Sequence, residues 1–160
     1  MHRSKIFIGI IIVLLLWQCH SAEPPLYQQM QPVNDDSWLA DSLVSFTFSV
    51  DNAIIPYDIA IRIEHRPIYL YRNLYLFITT VNPVGTTKTD TVNAILADSK
   101  GRWFGEKAND VYSLTLLYRP HVLFSASGTY QIKVEQAMRD TVLTGITSIG
   151  IEVRKSILKK

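Results

Sequence analysis

The residue whose position most directly predicts chemistry is Cys19, the only cysteine of the 160-residue chain. It follows an apolar run from Ile6 to Trp17, which is itself preceded by the basic residues Arg3 and Lys5. This run is shorter than the roughly 20 apolar residues that a bilayer-spanning helix needs. Its length and its basic flank are typical of a secretory signal peptide. A lone cysteine in this place cannot form an intrachain disulfide and is instead positioned for acylation.

Residues 16–19 resemble a lipobox, the sequence at which a diacylglycerol is joined to cysteine by a thioether and the peptide is cut before it. Leu16 stands at the usual place, whereas Trp17 and Gln18 replace the usual small residues. The alternative is an ordinary signal peptide with an incidental cysteine, but no A-x-A-like cleavage site lies nearby. We therefore predict a signal peptide over residues 1–18 and lipidation at Cys19, with enough acyl chains for stable anchoring.

The remaining chemically active side chains do not predict catalysis or metal binding. Glu64 and His65 are neighbours, so on a strand they point to opposite faces and do not converge as metal ligands must. We expect His65 and His121 at strand ends or in loops. The carboxylates are scattered, and the sequence has no G-x-S-x-G, H-E-x-x-H or P-loop motif. The expectation is therefore no enzyme activity, no metal and no cofactor.

The net charge of the precursor does not indicate a nucleic-acid partner. The whole chain has 16 Lys+Arg against 14 Asp+Glu, and removing residues 1–18 removes Arg3 and Lys5 but no acidic residue. The mature chain is therefore balanced at 14 against 14 (16 − 2 = 14). No basic patch of the kind that binds polyanions remains.

The segment after the cysteine has a composition that is typical of disorder. It contains Pro24, Pro25 and Pro32, several Gln and Asn residues, and few aliphatic side chains. Such a segment does not bury enough apolar surface to offset the entropy of ordering it. We therefore predict a flexible tether over residues 19–37, followed by one folded domain over residues 38–160.

The hydrophobic pattern of the domain has a period of two, which predicts β-strands. About eight alternating segments are separated by turn signals such as Asp98 to Gly101, and no window of a dozen residues has a helical period. The segments are 44–50, 57–64, 74–81, 86–96, 112–118, 122–124, 130–135 and 149–153. This pattern predicts an all-β fold, a two-sheet antiparallel β-sandwich that is Ig-like or jelly-roll in topology.

Arg102, Trp103 and Phe104 form the best candidate recognition surface. They lie between Gly101 and Gly105, and two adjacent aromatics on an extended chain do not easily both turn inward. Trp and Arg are frequent anchors at protein interfaces. The alternative is that one of the aromatics plugs the end of the sandwich. The segment from Glu135 to Arg139 is open to two interpretations as well, polar bonding to neighbouring backbone or contact with a partner.

Several segments resemble the GldH family of gliding-motility lipoproteins from the Bacteroidota. They lie at Cys19 and along most of the mature chain, at 38–42, 46–48, 56–57, 71–77, 98–105, 128–130, 135–139, 145–146 and 149–150. The most specific is Gly-Thr-Tyr at 128–130 followed by Glu-Gln-Ala-Met-Arg at 135–139. The resemblance implies a component of gliding motility and of the associated type IX secretion system. It implies no enzymatic activity and gives a chemical role to Cys19 alone.

These expectations combine into a non-enzymatic outer-membrane lipoprotein that contacts other envelope proteins of gliding or secretion. The membrane is a partner through the acyl anchor at Cys19. Residues 20–24 contain a single acid, whereas surface export in this phylum uses an acidic run, so we expect the periplasmic face. A glycan-binding envelope module is the alternative, and exposed aromatics on one flat strip would favour it. A hydrolase would instead require a cleft with converging carboxylates.

Overall fold

The computed structural model describes residues 23–157, and within this range the chain forms eleven β-strands. In chain order these are β1 (Tyr27–Pro32), β2 (Ser37–Leu39), β3 (Val44–Val50), β4 (Tyr57–His65), β5 (Asn73–Val81), β6 (Thr87–Ile95), β7 (Glu106–Ala108), β8 (Val111–Val122), β9 (Gly128–Gln136), β10 (Val142–Thr144) and β11 (Ile146–Lys155). A short 3-10 turn, Asn34–Asp36, separates β1 from β2. No helix among the described residues has the length and hydropathy needed to cross a membrane.

The strands form two antiparallel sheets that pack face to face. The five-stranded sheet has the order β1-β11-β4-β8-β7, and the four-stranded sheet has the order β3-β9-β5-β6. A two-stranded ribbon of β2 and β10 lies beside them. The prediction of an all-β sandwich is confirmed. The count is eleven rather than the predicted eight because β1, β2, β7 and β10 have no clear apolar alternation, whereas the predicted segments 112–118 and 122–124 fall on the single strand β8.

The core lies between the sheets and is explained by the alternation of apolar residues. Along β4 every second side chain from Tyr57 to His65 is buried, and the side chains between them face outward. The same alternation buries Phe46 on β3 and Ile132 on β9. Period two places each apolar set on one face of its strand, so that burial of the two inner faces supplies the main stabilising free energy.

The start of the domain differs from the prediction. The tether predicted over residues 19–37 is wrong from Tyr27 onward, because β1 pairs with β11 in continuous register from Tyr27↔Val153 to Pro32↔Ser148. The Tyr27 ring lies 5.4 Å from that of Phe48, and the Gln31 amide donates to the Ser45 carbonyl at 2.5 Å. Backbone pairing satisfies the peptide groups, so a strand forms here despite its polar side chains.

A polar bridge joins the two sheets near their open edge. Asp90 on β6 accepts a hydrogen bond from the Tyr118 hydroxyl at 2.5 Å, and it also pairs with Arg119. These two donors lower the pKa of the Asp90 carboxyl, the tyrosine contributing most. Burial, together with the same bond, raises the pKa of Tyr118 to about 12. At neutral pH the bridge therefore consists of a protonated Tyr118 hydroxyl that donates to the ionised Asp90 carboxylate.

Two ends of the sandwich can be distinguished by the strand directions. At the entry end, β1 and β4 begin and β3, β5, β8 and β11 end, so the connections at residues 51–56, 82–86 and 123–127 lie there. At the far end, β1, β4, β6 and β9 end, and the connections at residues 66–72, 96–105 and 137–141 lie there. The chain therefore enters the domain at the end opposite to the candidate recognition segment.

Candidate functional site

Cys19 lies outside the described residues, so its prediction as the acylated residue rests on the sequence. The structure fixes the distance along the chain from this cysteine to the first strand. Because β1 begins at Tyr27, residues 20–26 are the seven that separate the strand from Cys19. A chain spans at most about 3.3–3.6 Å per residue. Eight steps lead from Cys19 to Tyr27, so the connection from the cysteine to the entry end is at most about 29 Å long.

Trp103 is half-buried in a cluster of aromatic rings at the far end. Its backbone forms a bridge with Ala97, and its ring centroid lies 4.4 Å from that of His65 in an edge-on arrangement. The rings of Tyr69 and Tyr112 complete the cluster at 6.4 and 6.2 Å. The geometry corresponds to the alternative in which one aromatic plugs the end of the sandwich. Trp103 closes the core over the last residue of β4.

Arg102 is held beside the turn that precedes it. The carboxylate of Asp98 accepts the backbone N–H groups of Lys100 and Arg102 at 2.8 and 2.9 Å, and the Arg102 Nε at 2.7 Å. The amide N–H of Gly101 donates to the Asp98 carbonyl at 3.1 Å, which closes the predicted turn. These bonds, the Arg102 amide first, lower the pKa of Asp98. The guanidinium is fixed but solvent-exposed.

Phe104 points away from the aromatic cluster and is 42% exposed. Its backbone N–H donates to the Leu96 carbonyl at 2.8 Å, which aligns the extended segment with the end of β6. Alternation along this segment sends Trp103 inward and leaves Arg102 and Phe104 outward. The structure therefore does not combine Trp103 and Phe104 into the flat exposed strip that stacking on a glycan requires.

Gly105 is the glycine that fixes this segment against β8. Its φ is +86°, and a Cβ there would overlap the backbone carbonyl of Ser113, which does not move without breaking the hairpin. Gly101 has a similar φ of +77°, but a Cβ there would meet nothing within 4 Å. A side chain at Gly101 would cost free energy only through its left-handed backbone, whereas one at Gly105 would also overlap the backbone of β8.

We predict that Gly105→Ala lowers the free energy of unfolding by about 2 kcal/mol or more, because strain and overlap add. The matched control Gly101→Ala is expected to cost only about 1 kcal/mol, from φ alone. Urea denaturation of the two variants measures the difference. Equal costs would contradict the close approach of Gly105 to β8.

His65 is the buried titratable group of the far end. It is fully buried, its Nδ1 lies 3.1 Å from the Arg66 carbonyl, and its ring stacks on Tyr112. Since a carbonyl only accepts, Nδ1 carries the proton and the lone pair of Nε2 has no partner among the described residues. Burial lowers the pKa of His65, against a smaller opposing effect of the bond to Arg66. The imidazole is therefore neutral, with a structural position in the core.

Acidification is expected to destabilise the fold through His65. The unfolded chain binds a proton at this residue near the ordinary pKa of 6.5, whereas the folded chain binds it only at lower pH. The free energy of unfolding therefore falls as the pH drops below about 6.5, by at most about 1.4 kcal/mol per pH unit. His65→Phe is expected to flatten this slope between pH 6.5 and 5 in urea denaturation. The exposed His121→Asn is the control, and an unchanged slope in His65→Phe would contradict the assignment.

The segment from Glu135 to Arg139 forms one side of a groove at the far end. The buried amide of Gln136 donates to the Asp140 carbonyl at 2.8 Å and accepts the Met138 backbone N–H at 2.8 Å. This is the polar bonding to neighbouring backbone that one interpretation of the segment predicts. The bonds fix a turn, and the turn presents Met138 and Arg139 to the groove.

The far-end groove is lined by Tyr71, Tyr75, Ala137, Met138, Arg139 and Asp140 and has a volume of about 490 Å³. The Tyr71 hydroxyl donates to the Asp140 carboxylate at 2.5 Å, a bond that raises the pKa of Tyr71. The Met138 sulfur accepts the Tyr75 backbone N–H at 3.3 Å. Side-chain hydrogen bonds therefore hold the walls of the groove together, and aromatic rings and the Met138 thioether line its interior.

The exposed face of β5 continues this groove along the sheet. Tyr75 and Phe77 are two residues apart on the outer face and are 41% and 43% exposed, and Ile95 on the neighbouring β6 is 43% exposed. We call the far-end groove with Phe77 and Ile95 the outer-face patch. Apolar residues on both faces of residues 74–81 predicted a central strand, which β5 is. The sequence did not reveal that one of its apolar faces stays uncovered.

No group of three or more His, Cys, Asp or Glu residues within 23–157 has a geometry that could hold a metal ion.

A family model and two relatives match most of this chain. The family model for the GldH lipoprotein matches residues 25–153. A gliding motility lipoprotein GldH homolog of Christiangramia forsetii is 30% identical over 95% of this chain and 96% of its own length. The gliding motility lipoprotein GldH of Flavobacterium johnsoniae is 26% identical over 92% and 95%. Among solved structures, a family GH115 4-O-methyl-alpha-glucuronidase overlays with a TM-score of 0.45 and 7% identity, over 86% of this chain and 18% of that chain. That overlay carries no functional argument.

Proposed function

The chain belongs to the GldH lipoprotein family, and we propose that it is a non-enzymatic, lipid-anchored component of gliding motility or type IX protein secretion that acts through protein contacts. The names of both relatives, gliding motility lipoproteins, support the process. Each relative matches nearly its full length, which supports a shared arrangement of anchor and domain.

The proposed anchor is the acylated thiol of Cys19. A signal-like apolar run precedes it, and the family is one of lipoproteins. We place the anchor in the outer membrane with the domain on the periplasmic face, because residues 20–24 carry only one acid, Glu23. With two or more acyl chains the attachment is stable, whereas a single chain would leave it reversible.

The observation that carries the proposed contact is the outer-face patch. Aromatic side chains and methionine are enriched at protein interfaces, and charged residues belong to the rim. Tyr75, Phe77 and Met138 provide that apolar centre, and Arg139 with Asp140 provides a charged rim. Their backbone is held in a sheet and a fixed turn, so a partner would meet a surface that needs little ordering.

Arg102 and Phe104 are proposed as a second, smaller contact at the same end. Both are exposed, and the turn at Asp98 fixes the guanidinium in place. Trp103 supports them from below by packing on His65. Its contribution to binding is therefore indirect, through the position of its two neighbours.

The anchor is tested by Cys19→Ser. The variant is expected to remain an unlipidated precursor that incorporates no palmitate, because no thiol is left to form the thioether. Radiolabelled palmitate and fractionation of the cells report the two properties separately. The unchanged chain is the control. Palmitate incorporation by the variant would contradict the assignment of Cys19.

The contact is tested by Tyr75→Thr combined with Phe77→Thr, which keeps the strand propensity and the polar surroundings of β5. Partners recovered with the affinity-purified lipoprotein from solubilised envelopes are expected to fall about tenfold or more, since truncation of an interface anchor costs about 2 kcal/mol. The matched control is Leu117→Thr, which removes an exposed residue from the other sheet.

The same cells are scored for gliding and for secretion. Loss of partner recovery and of one of these activities in the double variant, with an unchanged melting temperature, supports the proposal. Normal recovery in the double variant, or an equal loss in Leu117→Thr, would contradict the assignment of the patch.

A further inference from the structure

The entry end of the sandwich exposes four large aliphatic side chains, one from each of its connections and one after β11. Ile54, Val84, Leu123 and Ile157 are 86%, 81%, 64% and 80% exposed. Scattered single hydrophobic residues are ordinary on a protein surface. Four exposed aliphatic side chains at one end of a single domain form an apolar patch, and such patches mark contacts with a protein or a membrane.

The connections that carry these residues touch one another. The Ser127 hydroxyl donates to the Asp51 carbonyl at 2.8 Å, which ties the connection of Ile54 to that of Leu123. The Ser156 N–H donates to the Pro56 carbonyl at 2.9 Å, which ties Ile157 to the same group. The turn of Val84 and the segment of Leu123 line one cavity, to which Asn82 and Thr86 contribute. The three connections and the segment after β11 are therefore neighbours, and each of them exposes one of the four apolar side chains at this end.

Two of the tips are held in position by asparagine side chains. The carboxamide oxygen of Asn52 accepts the Ile54 N–H at 3.1 Å. That of Asn82 accepts the Val84 N–H at 3.2 Å and the Thr86 N–H at 2.8 Å. Asparagine favours such turns by bonding backbone two residues further on. The apolar side chains are thus displayed from ordered turns and do not fold back onto the core.

The chain from Cys19 reaches the domain at this same end. Seven residues, 20–26, connect the cysteine to β1, and Glu23 within them pairs with Lys155 at the end of β11. The cysteine can lie no farther than about 29 Å from the start of β1, and one headgroup layer is only about 5–8 Å deep, so the entry end lies within reach of the lipid surface. After Ile157 the sequence continues with Leu158, Lys159 and Lys160, a composition that suits a lipid–water interface.

We propose that the entry end sits on the lipid surface, with Ile54, Val84, Leu123 and Ile157 entering the boundary between headgroups and acyl chains. This inference rests on the proposed anchor at Cys19, and it commits to lipid because the anchor holds this end within reach of the bilayer. The lipoprotein then stands upright, and its far end with the outer-face patch points away from the membrane.

The contact is tested with the full lipoprotein in vesicles of phosphatidylethanolamine and phosphatidylglycerol, recovered by flotation. The thiol of Cys19 is consumed by acylation, so Ile54→Cys and Leu70→Cys can each be labelled singly with an environment-sensitive fluorophore. Leu70 is the matched control, because it is 84% exposed but lies at the far end. Quenching by doxyl-labelled phospholipid is expected to be at least about threefold stronger at position 54. Equal quenching at positions 54 and 70 would overturn the proposal.

A second measurement separates insertion of the tips from simple nearness to the membrane. Val84→Asp with Leu123→Asp is expected to reduce the quenching of the label at position 54 to the level of position 70, because charge is excluded from the acyl boundary. Ile68→Asp, at the far end, is the control that leaves the quenching unchanged. Full quenching in the double aspartate variant would overturn the proposal, since nearness alone would then account for it.

The quenching result does not depend on whether the proposed protein contacts of the lipoprotein exist. The vesicles contain no second protein, so the absence of any partner leaves the quenching unaffected. Mass spectrometry of the same preparation reports acylation at Cys19 separately from the position of the label.

Discussion

The pairing of β1 with β11 is the constraint on which the rest of the structure depends. It orders the chain from Tyr27 onward, so that seven residues separate Cys19 from the first strand, and it makes β11 an interior strand between β1 and β4. It thereby decides which end of the sandwich meets the anchor and which end is presented elsewhere. Gly150 lies opposite Met30 in this pairing, and the thioether of Met30 occupies the space that a Cβ of residue 150 would fill.

The fold was predictable wherever a strand buries one face. The alternation at residues 44–50 and 57–64 matches β3 and β4, because the core requires an apolar side chain at every second position. It was not predictable where backbone pairing alone stabilises the strand. β1 carries glutamines, and β2, β7 and β10 have three residues each, too few for a period. Residues 112–118 and 122–124 were predicted as separate strands around Pro120, whereas β8 runs through it with irregular register.

The candidate site was predictable in part. The sequence located the aromatic pair between Gly101 and Gly105, but it could not decide which ring faces inward, because that depends on His65 and Tyr112 from distant strands. It also singled out residues 135–139 without revealing the groove beside them. The groove needs Tyr71 and Tyr75, which reach it through the pairing of β5 with β9. Contacts between residues so far apart along the chain leave no periodic signal in a single sequence.

The interior position of β11 has a consequence for the order of folding. This strand lies at the carboxyl side of the sequence yet stands between β1 and β4, so β1 pairs with no other strand of the five-stranded sheet. Pairings of such large sequence separation form late and slowly. The five-stranded sheet is therefore completed only when β11 joins it, so that β1, the first strand of the described chain, has no partner in the sheet until the last strand is in place.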